Sequence, residues 1–303
     1  MGIANTKIFG YHLDRDINRI FFDEYNGLPT EYDKIFKIED APPGNHYQES
    51  ELSPLGGLRT ITEGGGVTFD DPVEGHKKTV YYTKYGLGFQ ITQEMVKDDL
   101  TSNFKRMPMK LAKSARDKIE VEAFDLFNNG FSTTYHTAWD AKAIFTTDHT
   151  TLKSADTINN DPTACSLTET SLMASFEYFD TLVDEAGYPL LVRPQTLLVP
   201  TELRAVAERL LRTTGVVGSA NNELNMVGPS GFFNPSLMVS HYLTDTNAWF
   251  VLSDIADFRL YFKERATMES SDDFFTGNAL FKVLMRFVAF CMDYKGAYGN
   301  EGA

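Results

Sequence analysis

Leu280-Phe281-Lys282-Val283-Leu284-Met285-Arg286-Phe287-Val288-Ala289-Phe290-Cys291-Met292-Asp293-Tyr294 is the stretch that decides the fold. Its odd positions Phe281, Val283, Met285, Phe287, Ala289 and Cys291 are apolar without a break. Successive side chains of a strand point to opposite faces, so the pattern predicts a single strand with one continuous buried face. Its length would be roughly 50 Å at about 3.3 Å per residue, whereas an ordinary strand has about five or six residues. A strand of that length belongs to an elongated protein. Its other face carries Lys282 and Arg286 beside Leu280, Leu284 and Val288. Two cations so placed need acidic partners, across a contact with another copy or on a partly solvated strand face.

A second strand is predicted over residues 256–263, where Phe258, Leu260 and Phe262 alternate with Asp257, Arg259, Tyr261 and Lys263. A polar loop with Gly277-Asn278 joins the two. Far upstream, Met107, Leu111, Ala115, Ile119, Ala123 and Phe127 recur every fourth residue, with Lys110, Lys113, Lys118, Glu122 and Asp125 off the stripe. This predicts a helix that begins near Ile91, is interrupted at Pro108, continues over residues 109–128 and stops at Asn129-Gly130. The part after the proline spans roughly 30 Å at about 1.5 Å per residue.

Between helix and strands lies a compact α/β unit. Residues 168–186 read as a helix stopped by Gly187, 195–199 as a buried strand, and 201–212 as a helix capped by Thr201. Residues 237–240 and 249–252 read as short strands, and 215–235 as a polar loop. Residues 132–164 read as a loop or a short hairpin around Ala143-Ile144-Phe145-Thr146. At the N-terminal end, residues 14–27 predict a short amphipathic helix closed by Gly27. Pro29, Pro42, Pro43, Gly44 and Pro54 leave residues 28–57 too broken for a regular element, so they read as an arm over a surface. Residues 58–63, the turn Gly64-Gly65-Gly66, residues 67–72 and residues 77–91 read as a long hairpin. Its tip has too little apolar content to bury itself, so it would pack on another chain or project into solvent.

At 42% hydrophobic residues over 303 positions the chain can build a packed core, in one large or two modest domains. Its formal charge of −14 and the lack of any run of Lys or Arg exclude tight nucleic-acid binding through a basic stripe. Copies of such a chain repel, so assembly should tighten as salt rises. The two cysteines, Cys165 and Cys291, form no motif, which fits a reducing cytoplasm. The N-terminus lacks a signal-peptide pattern, and no run approaches the 18 apolar residues of a membrane span.

Catalytic and metal chemistry is absent from the motifs. No two of the six histidines share a helix face, so a two-histidine metal pair is not expected. Asp148-His149 with Asp140 could form a ligand or base cluster but reads as surface polarity in a Thr-rich loop. Asp98-Asp99 and Asp272-Asp273 read as solvated doublets. Gly86-Leu87-Gly88 lacks the third glycine of a dinucleotide site, and Gly228-Pro229-Ser230-Gly231 is no nucleophile elbow. A hydrolase built on the α/β unit would lack a nucleophile. The reading is a self-assembling structural subunit, not an enzyme, with no cofactor.

The order of arm, hairpin, long helix, α/β unit and long closing strands resembles the major capsid proteins of tailed bacteriophages, with the fold named after a Hong Kong coliphage. More narrowly, the chain is similar to the Mu-type major head subunit family. The residues that carry this are Tyr85-Gly86-Leu87-Gly88-Phe89-Gln90-Ile91-Thr92-Gln93-Glu94-Met95 leading into Asp98-Asp99-Leu100, the helix end at 124–131, Ile144-Phe145-Thr146-Thr147-Asp148-His149, and Pro194-Gln195-Thr196-Leu197-Leu198-Val199-Pro200.

The resemblance implies an α+β fold of five parts: an N-terminal arm (1–54), an extended hairpin loop (55–90), a peripheral domain with a spine helix (91–164), an axial α/β domain (165–250) and peripheral return strands (251–303). It implies pentamers and hexamers of an icosahedral shell around double-stranded DNA, bound without sequence specificity. The arm and hairpin would reach neighbours, and Arg59, Glu63, Lys77, Lys78, Tyr81, Lys282 and Arg286 are the expected contacts between copies. Separate scaffolding, portal and decoration proteins are the expected partners, with assembly in the host bacterial cytoplasm, location in the virion capsid and no membrane. An acidic inner surface would keep packaged DNA from sticking. An encapsulin-like nanocompartment shell is the alternative.

Overall fold

The strand predicted over 280–294 runs from Ala279 to Cys291 and sits at the heart of the first of two units into which the chain divides. The computed structural model describes residues 6–72, 74–92, 94–95, 105–151, 157–184, 187–215, 225–229, 234–273 and 278–303, with side chains from residue 15 onward. The elements in chain order are α1 (Thr6–Gly27), a 3-10 turn (Tyr32–Lys34), β1 (Lys37–Asp40), β2 (His46–Leu52), β3 (Glu74–Tyr81), β4 (Thr83–Ile91), α2 (Arg106–Asn128), β5 (His149–Thr150) and β6 (Thr157–Ile158). They continue with α3 (Glu169–Thr181), β7 (Pro194–Pro200), α4 (Arg204–Arg212), β8 (Ser236–Ser240), β9 (Trp249–Ser253), β10 (Phe258–Asp272), β11 (Ala279–Cys291) and β12 (Ala297–Asn300). The Asp98-Asp99 pair, the junction 96–104, Gly277 and most of the 215–235 loop lie outside the described residues.

The first unit comprises residues 1–47, 80–123 and 260–289. Its sheet has the order β1-β10-β11-β4. β11 runs antiparallel to β4, with Phe281 opposite Phe89 and Met285 opposite Tyr85. The Phe89 and Phe281 rings stack at 5.3 Å, and Phe281, Val283, Met285 and Phe287 are buried as the alternation requires. Each contributes about 1.5–3 kcal/mol by leaving water. α2 supplies the facing stripe, with Leu111, Ala112, Ala115 and Ile119 buried.

Two expectations need correction here. α2 passes Pro108 unbroken, because the proline is the third residue of the helix. The first four N–H groups of a helix have no intrahelical acceptor, so the one proline lacks is not missed. β10 extends through residues 264–272, expected to be a polar loop. Pairing with β11 holds its backbone extended whatever its side chains, and the Lys282–Glu269 ion pair at 2.8 Å ties the two strands.

The arm also departs from its reading. Residues 28–57 contain the 3-10 turn, β1 and β2, and the preceding helix is longer than expected. Ile17, Phe21, Tyr32 and Phe36 are buried in their own chain. The reason is a pair of α2 side chains. The Glu120 carboxylate accepts the backbone N–H groups of Glu31 (2.7 Å) and Tyr32 (3.0 Å), closing the start of the 3-10 turn. Arg116 donates to the Tyr25 carbonyl (2.7 Å) and the Tyr32 hydroxyl (2.9 Å), and its guanidinium lies over the Tyr25 ring at 4.0 Å. Burial pushes the Glu120 carboxyl up to about 7, against the two N–H groups that favour its charge and with help from the Glu31 and Asp33 carboxylates. The first part of an arm expected to reach a neighbour is therefore built into its own unit.

The second unit comprises residues 48–79, 124–259 and 290–303. Its sheet has the order β12-β9-β7-β8, with β7 parallel to β8 and antiparallel to β9. β12 pairs with β9, so residues after Phe290 do not stay with the long strands as expected for 251–303. α3 starts at a capping box in which the Thr168 and Ser171 side chains each take the other's backbone N–H. It ends at Thr181, short of the expected 186. α4 starts at Arg204 with no side-chain cap, because the Thr201 hydroxyl donates to Glu202 instead. An aromatic core of Phe127, Phe131, Phe145, Phe250 and Phe258 packs beside Gly299, where a Cβ would stand 2.6 Å from the Phe145 ring.

Candidate functional site

Among the described residues, the fully buried cluster with the outline of chemistry is His149 with Asp140, and it is not the surface polarity its sequence suggests. Both side chains are fully buried, with His149 Nδ1 2.8 Å from Asp140 Oδ2. Nε2 faces the Ile144 carbonyl at 3.2 Å, and the ring stacks on Tyr294 at 3.6 Å. With each ring nitrogen held against an acceptor and no exposed face, the imidazole fixes a loop and has no substrate to reach. Asp148 points elsewhere, to Lys142 at 2.8 Å. Among the described residues, no three His, Cys, Asp or Glu side chains converge on a metal position, and no helix is long and apolar enough to cross a membrane.

The hairpin is where polar and apolar groups are left open. Its strands are β2 and β3, not residues 58–63 and 67–72, which are irregular. The outgoing strand thus lies in what reads as arm, because Pro54 and the glycines after it permit no ladder beyond Leu52. The base of this hairpin is fastened to its own unit. Lys78 gives its ammonium to the carbonyls of Thr137 and Cys291, and burial lowers its pKa. Arg259 joins Glu49 (2.8 Å) to Asp257 (2.7 Å).

The connecting loop, residues 53–72, is different. Leu58 and Phe69 are 106% and 91% exposed, and Leu55 and Val67 are largely exposed too. Its shape is kept by the Gly56 N–H donating to Asp70 (2.6 Å) and by Gly57, where a Cβ would collide with the Tyr188 hydroxyl. Holding several apolar side chains in water on a fastened base makes sense only if something covers them.

The seven residues expected at contacts between copies therefore separate. Arg59 and Glu63 are exposed on this loop. Lys77 and Tyr81 are exposed on β3, whereas Lys78 is committed within its own chain. Lys282 and Arg286 stand on β11 in the other unit, and Lys282 finds its acid in Glu269 of the same chain. Arg286 does not. It stands directly opposite Lys84 in the β4–β11 register, a cation that sequence reasoning missed because only the strand pairing brings the two together.

The family model for phage capsid protein matches residues 77–300. No curated protein sequence matches the chain. Among solved structures, the chain is similar to the capsid of bacteriophage JBD30 decorated with minor capsid protein trimers (TM-score 0.57, 14% identity, 72% of this chain and 92% of that one). It is similar to the mature capsid of bacteriophage PhiM1 (TM-score 0.57, 10% identity, 90% and 86%). It is also similar to a virus-like particle from Pyrococcus furiosus (TM-score 0.52, 9% identity, 94% and 98%). At these identities the structures speak to the fold, which is the α+β capsid fold, while the family model speaks to descent. The chain belongs to the phage capsid protein family.

Proposed function

We propose that this capsid protein is the major head subunit, and that copies of it close into an icosahedral shell of pentamers and hexamers around double-stranded DNA. The observation that carries the reading is the loop at 53–72, whose apolar side chains stand in water on a base pinned by Lys78 and Arg259. A neighbour's surface is the natural cover. The second unit, with its four-stranded sheet, takes the axial position at the symmetry centres. The first, with the long strands and the body of α2, takes the peripheral one. The chain's charge of −14 makes bare copies repel, so closure needs both specific contacts and counterions. Scaffolding, portal and decoration proteins join it, assembly takes place in the host bacterial cytoplasm, and the finished shell is the virion capsid.

The test is electron microscopy of the purified full chain over a range of salt. Closed particles of uniform size are expected, with yield rising from low to moderate salt. A protein that stays monomeric at every salt and concentration removes the reading. Particles recovered from cells with protein cargo and no DNA would assign the shell to a compartment instead of a phage head.

A further inference from the structure

α2 ends against a cavity of about 230 Å³ whose lining lies wholly within the second unit. Phe127, Phe131 and Phe250 line it, together with two carboxylates, Asp245 of the turn before β9 and Glu301 beyond β12. Phe127 and Phe250 are fully buried whereas Asp245 and Glu301 are exposed, so the rings form the floor and the acids stand at the mouth. A glycine brings the last two segments together. Gly302, at φ +77°, passes Asn247 so closely that a Cβ would stand 2.2 Å from that residue's carbonyl oxygen.

The electrostatic features of this cavity share one sign. Its amides are already committed: Asn128 donates to the Tyr242 carbonyl at 3.0 Å and accepts the Thr244 N–H at 2.9 Å, and Asn129 donates to Asp125 at 2.6 Å. Asp245 spends only Oδ1, on the N–H groups of Asn247 (2.8 Å) and Ala248 (3.3 Å). The Glu301 carboxylate has no partner among the described residues, and no Lys, Arg or His lines the cavity. α2 closes there with no basic residue in its last turn, so the negative end of the dipole of a 23-residue helix is left unanswered. His136 is held at 2.7 Å by Asp125, another acid of that turn. Burial, and then the charge of Glu301, push the Asp161 carboxyl up to about 6, so a third acid feels the uncompensated charge.

We infer that this cavity binds a small organic cation, a primary alkylammonium of the diamine or polyamine class, with its alkyl chain on the phenyl floor and its ammonium groups at Asp245 and Glu301. Aromatic rings accept both parts of such a molecule, since a phenyl ring is apolar and its face attracts a cation. A hard metal ion fits less well. Calcium takes about six or more oxygen ligands, which a floor of phenyl rings does not supply, and no three His, Cys, Asp or Glu side chains converge among the described residues. An anion would meet the two carboxylates. Binding would also take charge off a chain that carries −14 and so ease the repulsion between copies. The cavity belongs to a single chain, so the inference stands apart from the shell reading.

The experiment is isothermal titration calorimetry of diaminobutane, and then spermidine, into the purified full chain at fixed ionic strength. Saturable binding of one molecule per chain is expected. Asp245→Asn/Glu301→Gln should weaken it about tenfold, the loss of two partly exposed ion pairs, while the new amide keeps an oxygen for the Asn247 and Ala248 N–H groups. Glu177→Gln/Asp180→Asn removes the same charge from the exposed face of α3 and should leave binding unchanged. Ser132→Lys sets an ammonium of the chain's own beside the cavity and should abolish binding with both acids in place. Thermal unfolding checks that each variant is folded; should the cavity's acid pair not tolerate change, the lysine variant decides. The inference is overturned if the wild type gives no saturable heat, if the two acid pairs weaken binding equally, or if magnesium chloride binds there and displaces the amine. A wild type that takes up no amine, beside an Asp245→Asn/Glu301→Gln variant that loses association between copies, would overturn it in favour of a seat for a neighbour's basic side chain.

Discussion

Residues 28–47 and the loop at 53–72 look alike as sequence, since both are rich in proline or glycine and lack apolar periodicity. In the structure they have opposite fates. The first is held by Glu120 and Arg116, and it buries Tyr32 and Phe36. The second keeps Leu58 and Phe69 in water. What separates them is not local chemistry but whether a buried carboxylate far along the chain accepts their backbone N–H groups. The arm finds its acceptor 88 residues away from Tyr32, whereas the loop's Gly56 N–H is taken by its own exposed Asp70, 14 residues away.

The largest effect that would sharpen this contrast comes from truncating the two regions' aromatic anchors. Phe36→Ala should destabilise the first unit by about 3–4 kcal/mol, as for a fully buried Phe, and lower its thermal midpoint. Phe69→Ala should change stability by less than about 0.5 kcal/mol and yet reduce particle yield. Equal thermal effects would erase the distinction between a region that folds on itself and one that waits for a neighbour.

Glu120→Ala comes next. It leaves the Glu31 and Tyr32 N–H groups buried without an acceptor, at about 2–3 kcal/mol. Limited proteolysis should then open the chain around residues 28–36 before any cut elsewhere in the unit. If the wild type and the variant are cleaved at the same rate, the latch is not what holds the arm.

A smaller effect is its pH dependence. Glu120 titrates higher in the folded chain than when free, because burial outweighs its two hydrogen bonds. The docked arm therefore binds the proton more readily than the released one. The sign follows: the stabilising contribution is full below the ordinary carboxylate range and is lost as pH rises through about 7. Protection of the arm from proteolysis should fall between pH 6 and 8, and Glu120→Gln should flatten the dependence. A rise in protection over that interval would contradict the assignment.

Much of the scaffold is legible in the sequence because it repeats. The alternation of Phe281, Val283, Met285 and Phe287 and the four-residue stripe of α2 each state a buried face in local terms. The tail of β10 is hard to read, because only Ala266 and Met268 carry the apolar alternation through residues 264–272, which stay extended through pairing with β11. Nor is the role of Lys78, whose acceptors lie 59 and 213 residues away. Of the candidate contact residues, Lys282 and Arg286 can be singled out from the pattern alone. That one would be neutralised in its own chain and the other set against Lys84 depends on strand register.

The claim that function resides in surfaces between copies meets its most direct test in a chain whose residues 54–72 are replaced by a flexible Gly-Ser linker. Sedimentation velocity and thermal unfolding would be measured on the same preparation. The expected result is a monomer that unfolds at the wild-type temperature and forms no particles at any salt. Closed particles of wild-type size from that chain would contradict it.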